Sequence, residues 1–465
     1  MSYIIKDKRK IFSLLTLLFG LTLTFGDVSA ADKKKKGKDD AAAATKPALP
    51  PFIKAPVVDT KLTKDCKPMG LKKTPKGEEK RRTFALNPAN YRRMERASEA
   101  MTAELWDEAL VILKDLEARA KDRPYDLAKT SEYLGYTYLS KGDYETAISY
   151  FRKVIDMKIL PVRNEQSLIR NVAGLYLTIE PPQPEKAMGI IRAWFKTAVK
   201  PKASDYVLLS QAAILGKKYR EAICPIRTAI NISKRPKNSW FDILVAGHFE
   251  ANDFEGAATI ARERLISYPE MAKHWRQLSG LYNKLERSMD ALVVYELAYK
   301  QKMLVKGSEY KNLSSMYAIN DLPYKAATIL EDGLKKGLVE STEKHWKQAA
   351  GSWQIARENK RAITAYTKAG NLTENGINEM RIAILYSDGE NWKNAVKFFR
   401  KAISKGGLKK DLGRTHMNLG IALFNSGNPR DAIKSLKKAQ TFKATKRNAS
   451  QWLNYVRDSS KLASN

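Results

Sequence analysis

Cysteine and histidine are scarce in this chain, with two cysteines and four histidines among 465 residues. His248, His274, His345 and His416 lie far apart and show no metal-type spacing. Sequences of the HExxH, GxSxG, P-loop and dinucleotide-fingerprint kinds are missing too. Carboxylates are scattered at positions that read as solvated helix surface. No catalytic centre, metal site or cofactor is therefore expected, and an enzyme is disfavoured. Beyond Phe25 no apolar run approaches the roughly 18 residues that cross a bilayer. Acidic residues are also in deficit, 50 against 83 basic, for a formal net charge of +33. Most of that excess belongs to residues 90–465, so it is not the property of a tail.

What the chain does contain is one pattern, many times over. Trp346, Ala349, Ala350, Trp353, Ala362, Tyr366 and Ala369 fall at spacings that fit two short antiparallel helices. The alanines stand where two backbones nearly touch, and the aromatics fill the space beside them. The small residue that opens the second helix recurs at Ala109, Ala147, Ala187, Ala222, Ala257, Ala291, Ala326, Ala362, Ala395 and Ala432. Four residues further on stand Leu113, Phe151, Ile191, Ile226, Tyr295, Leu330, Tyr366, Phe399 and Leu436, with the small Ala261 in the fifth repeat. First helices carry Leu134-Gly135, Leu278-Ser279, Leu313-Ser314 and Leu419-Gly420.

This pattern resembles the tetratricopeptide repeat, whose period is about 34 residues. The resemblance covers residues 90–446 and implies an all-α fold, a right-handed superhelical solenoid of about ten helix pairs. A capping helix is expected within 447–465, where Trp452 and Val456 share a face. Pro181 to Pro184 predict a longer turn in repeat 3. Trp240 stands one residue out of step with Ala257 and predicts an extra residue in the first helix of repeat 5. His274 and His345, each just before a signature tryptophan, read as helix-surface residues.

Residues 1–30 read as a cleaved secretory signal: Lys6, Lys8, Arg9 and Lys10, the apolar Ile11–Phe25, then Val28-Ser29-Ala30. The competing reading is an uncleaved anchor, against which Ser13, Thr16, Thr22 and Thr24 argue. Export implies the periplasm. Residues 31–89 read as a basic, proline-containing linker that is disordered or extended, either a spacer or a tether to an anionic membrane or cell wall. In an oxidising compartment Cys66 and Cys224 are a candidate disulfide, which would fold DCKPMG back onto the middle of the repeats. Cys224, beside Pro225, can also be read as a buried apolar thiol.

In tetratricopeptide proteins the concave surface is lined by the second, fifth, ninth, twelfth and thirteenth residues of the repeat. Carried onto this chain, the resemblance selects Lys273, Arg276, Gly280, Asn283 and Lys284 in repeat 6. It selects Ser308, Lys311 and Ser315 in repeat 7, and Lys344, Lys347, Gly351 and Gln354 in repeat 8. These are basic or neutral, never acidic. Repeats 9 and 10 place Ile377, Met380, Ile384, Met417, Ile421 and Phe424 there instead. Basic and apolar strips side by side suit an extended or helical peptide with acidic and apolar residues. A basic protein with basic residues everywhere gives the same pattern.

A closer resemblance runs through CKPMG, YRRMERASEAM, WRQLSGLYNKLERSMDALVVYELAY near Trp275, and PYKAATILEDGL. In that order, after a signal and a basic linker, these are similar to periplasmic tetratricopeptide proteins of gammaproteobacteria encoded beside ExbB, ExbD and TonB-type genes. The resemblance implies a scaffold accessory to TonB-dependent uptake of iron–siderophore complexes. Its partners would be proteins, possible members of a TonB/ExbB/ExbD-type complex, and no nucleic acid is expected. The alternative is a cell-wall or envelope-assembly factor that binds an anionic polymer or an acidic protein segment.

Overall fold

A computed structural model describes residues 59–71, 81 and 84–462. The expected signal, residues 1–30, and much of the expected linker lie outside the described residues. Among the described residues there are 21 α-helices, a short 3-10 turn at Lys409–Asp411 and no strand.

The chain divides between Glu270 and Met271 into two compact units. The first holds α1 (Pro88–Thr102), α2 (Trp106–Arg119), α3 (Pro124–Ser140), α4 (Tyr144–Met157) and α5 (Val162–Thr178). It continues with α6 (Pro184–Phe195), α7 (Ala203–Leu215), α8 (Tyr219–Ile232), α9 (Asn238–Glu250) and α10 (Phe254–Ser267). The second opens with α11 (Ala272–Lys284), α12 (Ser288–Lys300), α13 (Gly307–Ile319), α14 (Pro323–Lys335) and α15 (Glu343–Ile355). After these come α16 (Asn359–Gly370), α17 (Ile377–Asp388), α18 (Trp392–Lys405), α19 (Leu412–Asn425), α20 (Pro429–Gln440) and α21 (Lys446–Leu462). Within each unit every helix packs on the helix before it and the helix after it.

One construction is repeated throughout. All ten phased alanines are buried, and so are the residues four positions on, Ala261 included. Where the first helix offers serine at the crossing, its hydroxyl donates to the carbonyl of the phased alanine: Ser210 to Ala222, Ser279 to Ala291 and Ser314 to Ala326, each at 2.8 Å. Gly135 serves the same crossing by having no side chain, since a Cβ there would lie 2.6 Å from Cδ1 of Phe151.

The turn inside each hairpin is equally regular. Nine of the ten turns put a left-handed residue five positions before the phased alanine: Glu104, Gly142, Lys217, Asn252, Glu286, Asp321, Arg357, Glu390 and Gly427. The next residue then reaches back across the helix end, as Glu358 N–H does to Trp353 at 2.9 Å, which satisfies carbonyls the helix leaves open. Repeat 3 is the exception. Pro182 stands at that place, proline cannot take a positive φ, and a longer segment, 179–183, joins α5 to α6.

Two expectations are corrected here. The first helix of repeat 5, α9, has 13 residues, the same as α11, α13 and α15. No residue is inserted, because Phe241 fills the buried signature slot and Trp240 is left half-buried beside it. Part of the expected linker also has a fixed place: residues 59–71 lie against the first unit. Their composition cannot build a core, but so short a segment needs none of its own when it borrows one.

Helix α21 closes the second unit. Its Leu453 and Val456 are buried in one cluster with Phe399, Leu419 and Leu436, and Trp452 packs on the edge of that cluster. No helix among the described residues is long and apolar enough to cross a membrane.

Candidate functional site

The expected groove lies on the first helices of the second unit. Lys273, Asn283 and Lys284 on α11 and Lys344 on α15 are exposed, while Arg276, Lys311, Lys347 and Gln354 are half-buried. For Lys273, Lys311 and Lys344 no ion pair is present among the described residues. Gln354 accepts the hydroxyl hydrogen of Tyr366 at 3.1 Å, so this amide is tied to its own hairpin.

The basic stripe is less bare than the sequence suggested. In α7, α11 and α13 the third residue of the helix, Asp205, His274 or Glu309, is buried, and a carboxylate there can reach a cation of the preceding repeat. Glu309, buried in α13, pairs with Arg276 of the preceding repeat. It also accepts from the backbone of Val305 at 2.7 Å and Lys306 at 2.9 Å, which caps α13. Lys347 sits 3.3 Å from Glu343, one turn away on α15. The expectation of an unopposed row of exposed cations is therefore corrected for Arg276 and Lys347.

The same inward position corrects the reading of His274. It is buried at the third residue of α11 and is not a surface residue. His345, at the equivalent place in α15, is half-buried and its Nδ1 lies 2.8 Å from the carbonyl of Glu340.

The apolar end of the groove is corrected as well. Met380 is buried in the cluster of Phe399 and Leu419. Met417 and Phe424 are half-buried against that cluster, and Phe424 meets Tyr455 of the closing helix edge-on at 5.6 Å. These side chains belong to the core of the last repeats, and Phe424 closes it against α21.

Beyond the candidate disulfide, sequence reasoning overlooked how much chemistry the first unit gathers around residues 59–71. Cys66 and Cys224 are joined, with their Cα atoms 5.0 Å apart. Leu71 pairs with residues 198–200, donating to Ala198 at 2.7 Å and accepting from Lys200 at 2.9 Å. Tyr206 donates to the Met69 carbonyl at 2.7 Å. Gly70, at φ +90°, lets the segment lie this close, since a Cβ would meet the carbonyl oxygen of Ala198 at 2.9 Å. At the other end Asp59 lies 3.2 Å from Arg227, which also pairs with Glu263 at 2.6 Å.

Beneath that end lies His248, fully buried on α9. Its Nδ1 is 2.9 Å from Asp253, and its Nε2 is 3.5 Å from the Thr60 hydroxyl. Burial holds the imidazole below its ordinary pKa, against the pull of Asp253 and with a smaller push from Arg227. Beside Leu71 a cleft of about 580 Å³ opens among the start of α5, Trp194 of α6 and residues 197–205. The described residues hold no cluster of histidine, cysteine and carboxylates fit for a metal ion.

Residues 134–158, the body of the hairpin α3–α4, match the family model of the tetratricopeptide repeat. The other hairpins share the same construction, so within each unit the fold is a stack of helical hairpins of the tetratricopeptide type. Among solved structures the chain is similar to the Cut9–Hcn1 hetero-tetramer of the APC/C at 11% identity. That likeness covers 79% of this chain and 83% of the other, with a TM-score of 0.26. MamA from Desulfovibrio magneticus RS-1 is similar at 19% identity over 39% of this chain and 97% of that one, with a TM-score of 0.33. YrrB, described as a TPR protein with an unusual peptide-binding site, is similar at 14% identity over 42% and 97%, with a TM-score of 0.32. At these identities the likenesses say nothing about a partner. No curated protein matches the chain in sequence.

Proposed function

We propose that the chain is a non-catalytic adaptor whose second unit holds an acidic segment of a protein partner along α11, α13 and α15. One observation carries the reading. Lys273, Lys311 and Lys344 stand at groove positions of three consecutive first helices, with no carboxylate among the described residues neutralising them. Spaced cations of this kind steer an acidic segment and fix its register. Asn283 borders the strip with an exposed amide that can bond a peptide backbone.

The sequence resemblance extends the proposal. The chain is exported to the periplasm, loses residues 1–30, and serves as an accessory of a TonB/ExbB/ExbD-type system for iron–siderophore uptake. In cells lacking the natural gene, the double variant Lys273→Glu/Lys344→Glu is expected to lose crosslinks to its partner at unchanged abundance. Growth on siderophore-bound iron is expected to fall with it. Normal crosslinking by this variant would place the partner elsewhere. Lost crosslinking with normal growth would keep the groove and remove the uptake role.

A further inference from the structure

The cleft beside Leu71 belongs to the first unit and is separate from the groove just described. It opens at the start of α5, whose N-cap, Pro161, has no side chain able to bond the first backbone N–H groups. Helix starts of this kind attract anions. Around it stand Arg163, Lys200 and Lys202, all exposed and without an ion pair among the described residues.

The deeper wall supplies an independent sign of a ligand. Trp194 lines the cleft and is only 6% exposed, yet its Nε1–H has no acceptor among the described residues. The side-chain oxygen of Gln166, another lining residue, is likewise buried without a donor. Buried polar groups left unmatched are uncommon, and each calls for a partner. One missing acceptor and one missing donor are what a peptide group, with its C=O and N–H, provides.

Arg170 holds the site in shape. It lies 5.7 Å from the centre of the Trp194 ring and donates to the buried Asp205 at 3.0 Å, and Asp205 in turn accepts from the backbone of Lys202 at 2.7 Å. Arg81, on the rim, is already paired with Glu165. Pro161, Val162 and Val199 add apolar surface. The cleft is within the usual range for ligand pockets, roughly 300–1,000 Å³.

We propose that this cleft is a second binding site, for a short acidic peptide segment. Its carboxylates meet Arg163, Lys200 and Lys202, and one of its peptide groups meets Trp194 and Gln166. The site takes a protein ligand in the first unit independently of any segment held by the second.

The test uses the full chain and N-acetyl hexaglutamate labelled for fluorescence anisotropy, at low and at physiological salt. Arg163→Glu/Lys200→Glu reverses two exposed charges and is expected to weaken binding by about tenfold or more, with the larger effect at low salt. Trp194→Phe keeps the ring and deletes only the N–H, and is expected to weaken binding by roughly three- to tenfold. Helicity measured by circular dichroism controls for misfolding, and the surface pair remains decisive if Trp194→Phe unfolds. Lys273→Glu/Lys344→Glu is expected to remove only the hexaglutamate held by the groove and to leave the component that Arg163→Glu/Lys200→Glu removes, so failure here and failure of the groove are told apart. Absence of hexaglutamate binding, weakening by the groove variant alone, or displacement by equimolar inorganic phosphate would each overturn the proposal. The last result would make the cleft a site for small anions and not for a peptide.

Discussion

Replacing Gly376 by alanine probes the joint between α17 and α18. A Cβ built on Gly376 would lie 2.7 Å from the carbonyl carbon of Ala402 and 2.8 Å from its Cα, where ordinary contact begins near 3.4 Å. These are backbone atoms, so no rotamer change relieves the overlap, and the two helices have to part by more than half an ångström. The N–H of Gly376 also donates to the carbonyl of Gly406 at 2.8 Å, which resists the parting. Strain does not come from the backbone itself, because φ is −86°. Overpacking of this kind costs about 1–3 kcal/mol, while losing glycine's freedom in the unfolded chain returns about 0.4–1 kcal/mol. Packing wins, and a net loss of about 1–2 kcal/mol is expected. The control is Gly351→Ala inside α15, where a Cβ meets nothing within 4 Å. There the same change is expected to gain about 0.5–1 kcal/mol. Urea unfolding of the full chain, followed by circular dichroism and by exchange of the α17–α18 amides, reads the difference. Shifts of the two variants in the same direction would refute the placement of α17 against α18.

Three further outcomes are expected. Cys66→Ser/Cys224→Ser is expected to destabilise the first unit and speed tryptic cutting at Lys61 and Lys64. With the cysteines 158 positions apart in sequence, the chain-entropy ceiling is about 5 kcal/mol, and cutting rates unchanged from the parent would show that residues 59–71 hold without the bond. Acidification is expected to weaken the first unit before the carboxylates titrate. His248 stays neutral when folded because burial depresses its pKa, whereas the unfolded chain takes up a proton near pH 6.5. Stability is therefore lost as pH falls below about 6.5, by at most about 1.4 kcal/mol per pH unit, and His248→Gln is expected to flatten that slope between pH 7.5 and 5.5. Glu286→Gly is expected to stabilise the second unit by about 0.5–1 kcal/mol, because φ is +59° there and glycine alone takes that region freely; a lower melting temperature would count against it.

The fold was legible because each repeat obeys local rules. Phased alanines, the residue four positions on and the aromatic or serine of the first helix are fixed by two helices meeting within one hairpin. Such contacts span a dozen or so residues and leave a periodic trace. Trp240 misled because two aromatics adjoin, Trp240 and Phe241, and only packing decides which one enters the core. His274 misled for a related reason. The third residue of α7, α11 and α13 is buried, and it is Asp205, His274 or Glu309, so no one residue type marks it.

The candidate sites were less legible because they rest on contacts between repeats. Arg276 and Glu309 belong to different repeats, and neither the positive charge of one nor the negative charge of the other announces their pairing. A count of basic residues along α11, α13 and α15 thus overstates the charge a partner meets. Among the described residues Lys273, Lys311 and Lys344 have no ion pair, whereas Arg276 and Lys347 are partly neutralised by Glu309 and Glu343. In the first unit the relation is reversed. Residues 59–71 look like spacer because their side chains form no pattern among themselves, yet they pair with Tyr206, Arg227 and Cys224, each more than 130 residues away. That attachment lies beside the cleft of Trp194 and Arg163, so the segment and the cleft stand or fall together as surfaces. A partner that competes with residues 59–71 for the first unit would free the amides of Leu71 and Lys200, which bond the carbonyls of Ala198 and Leu71, while a partner bound by the second unit would leave both protected. Hydrogen exchange at these two amides, measured with partner added, therefore separates the two modes of binding even before the partner is named.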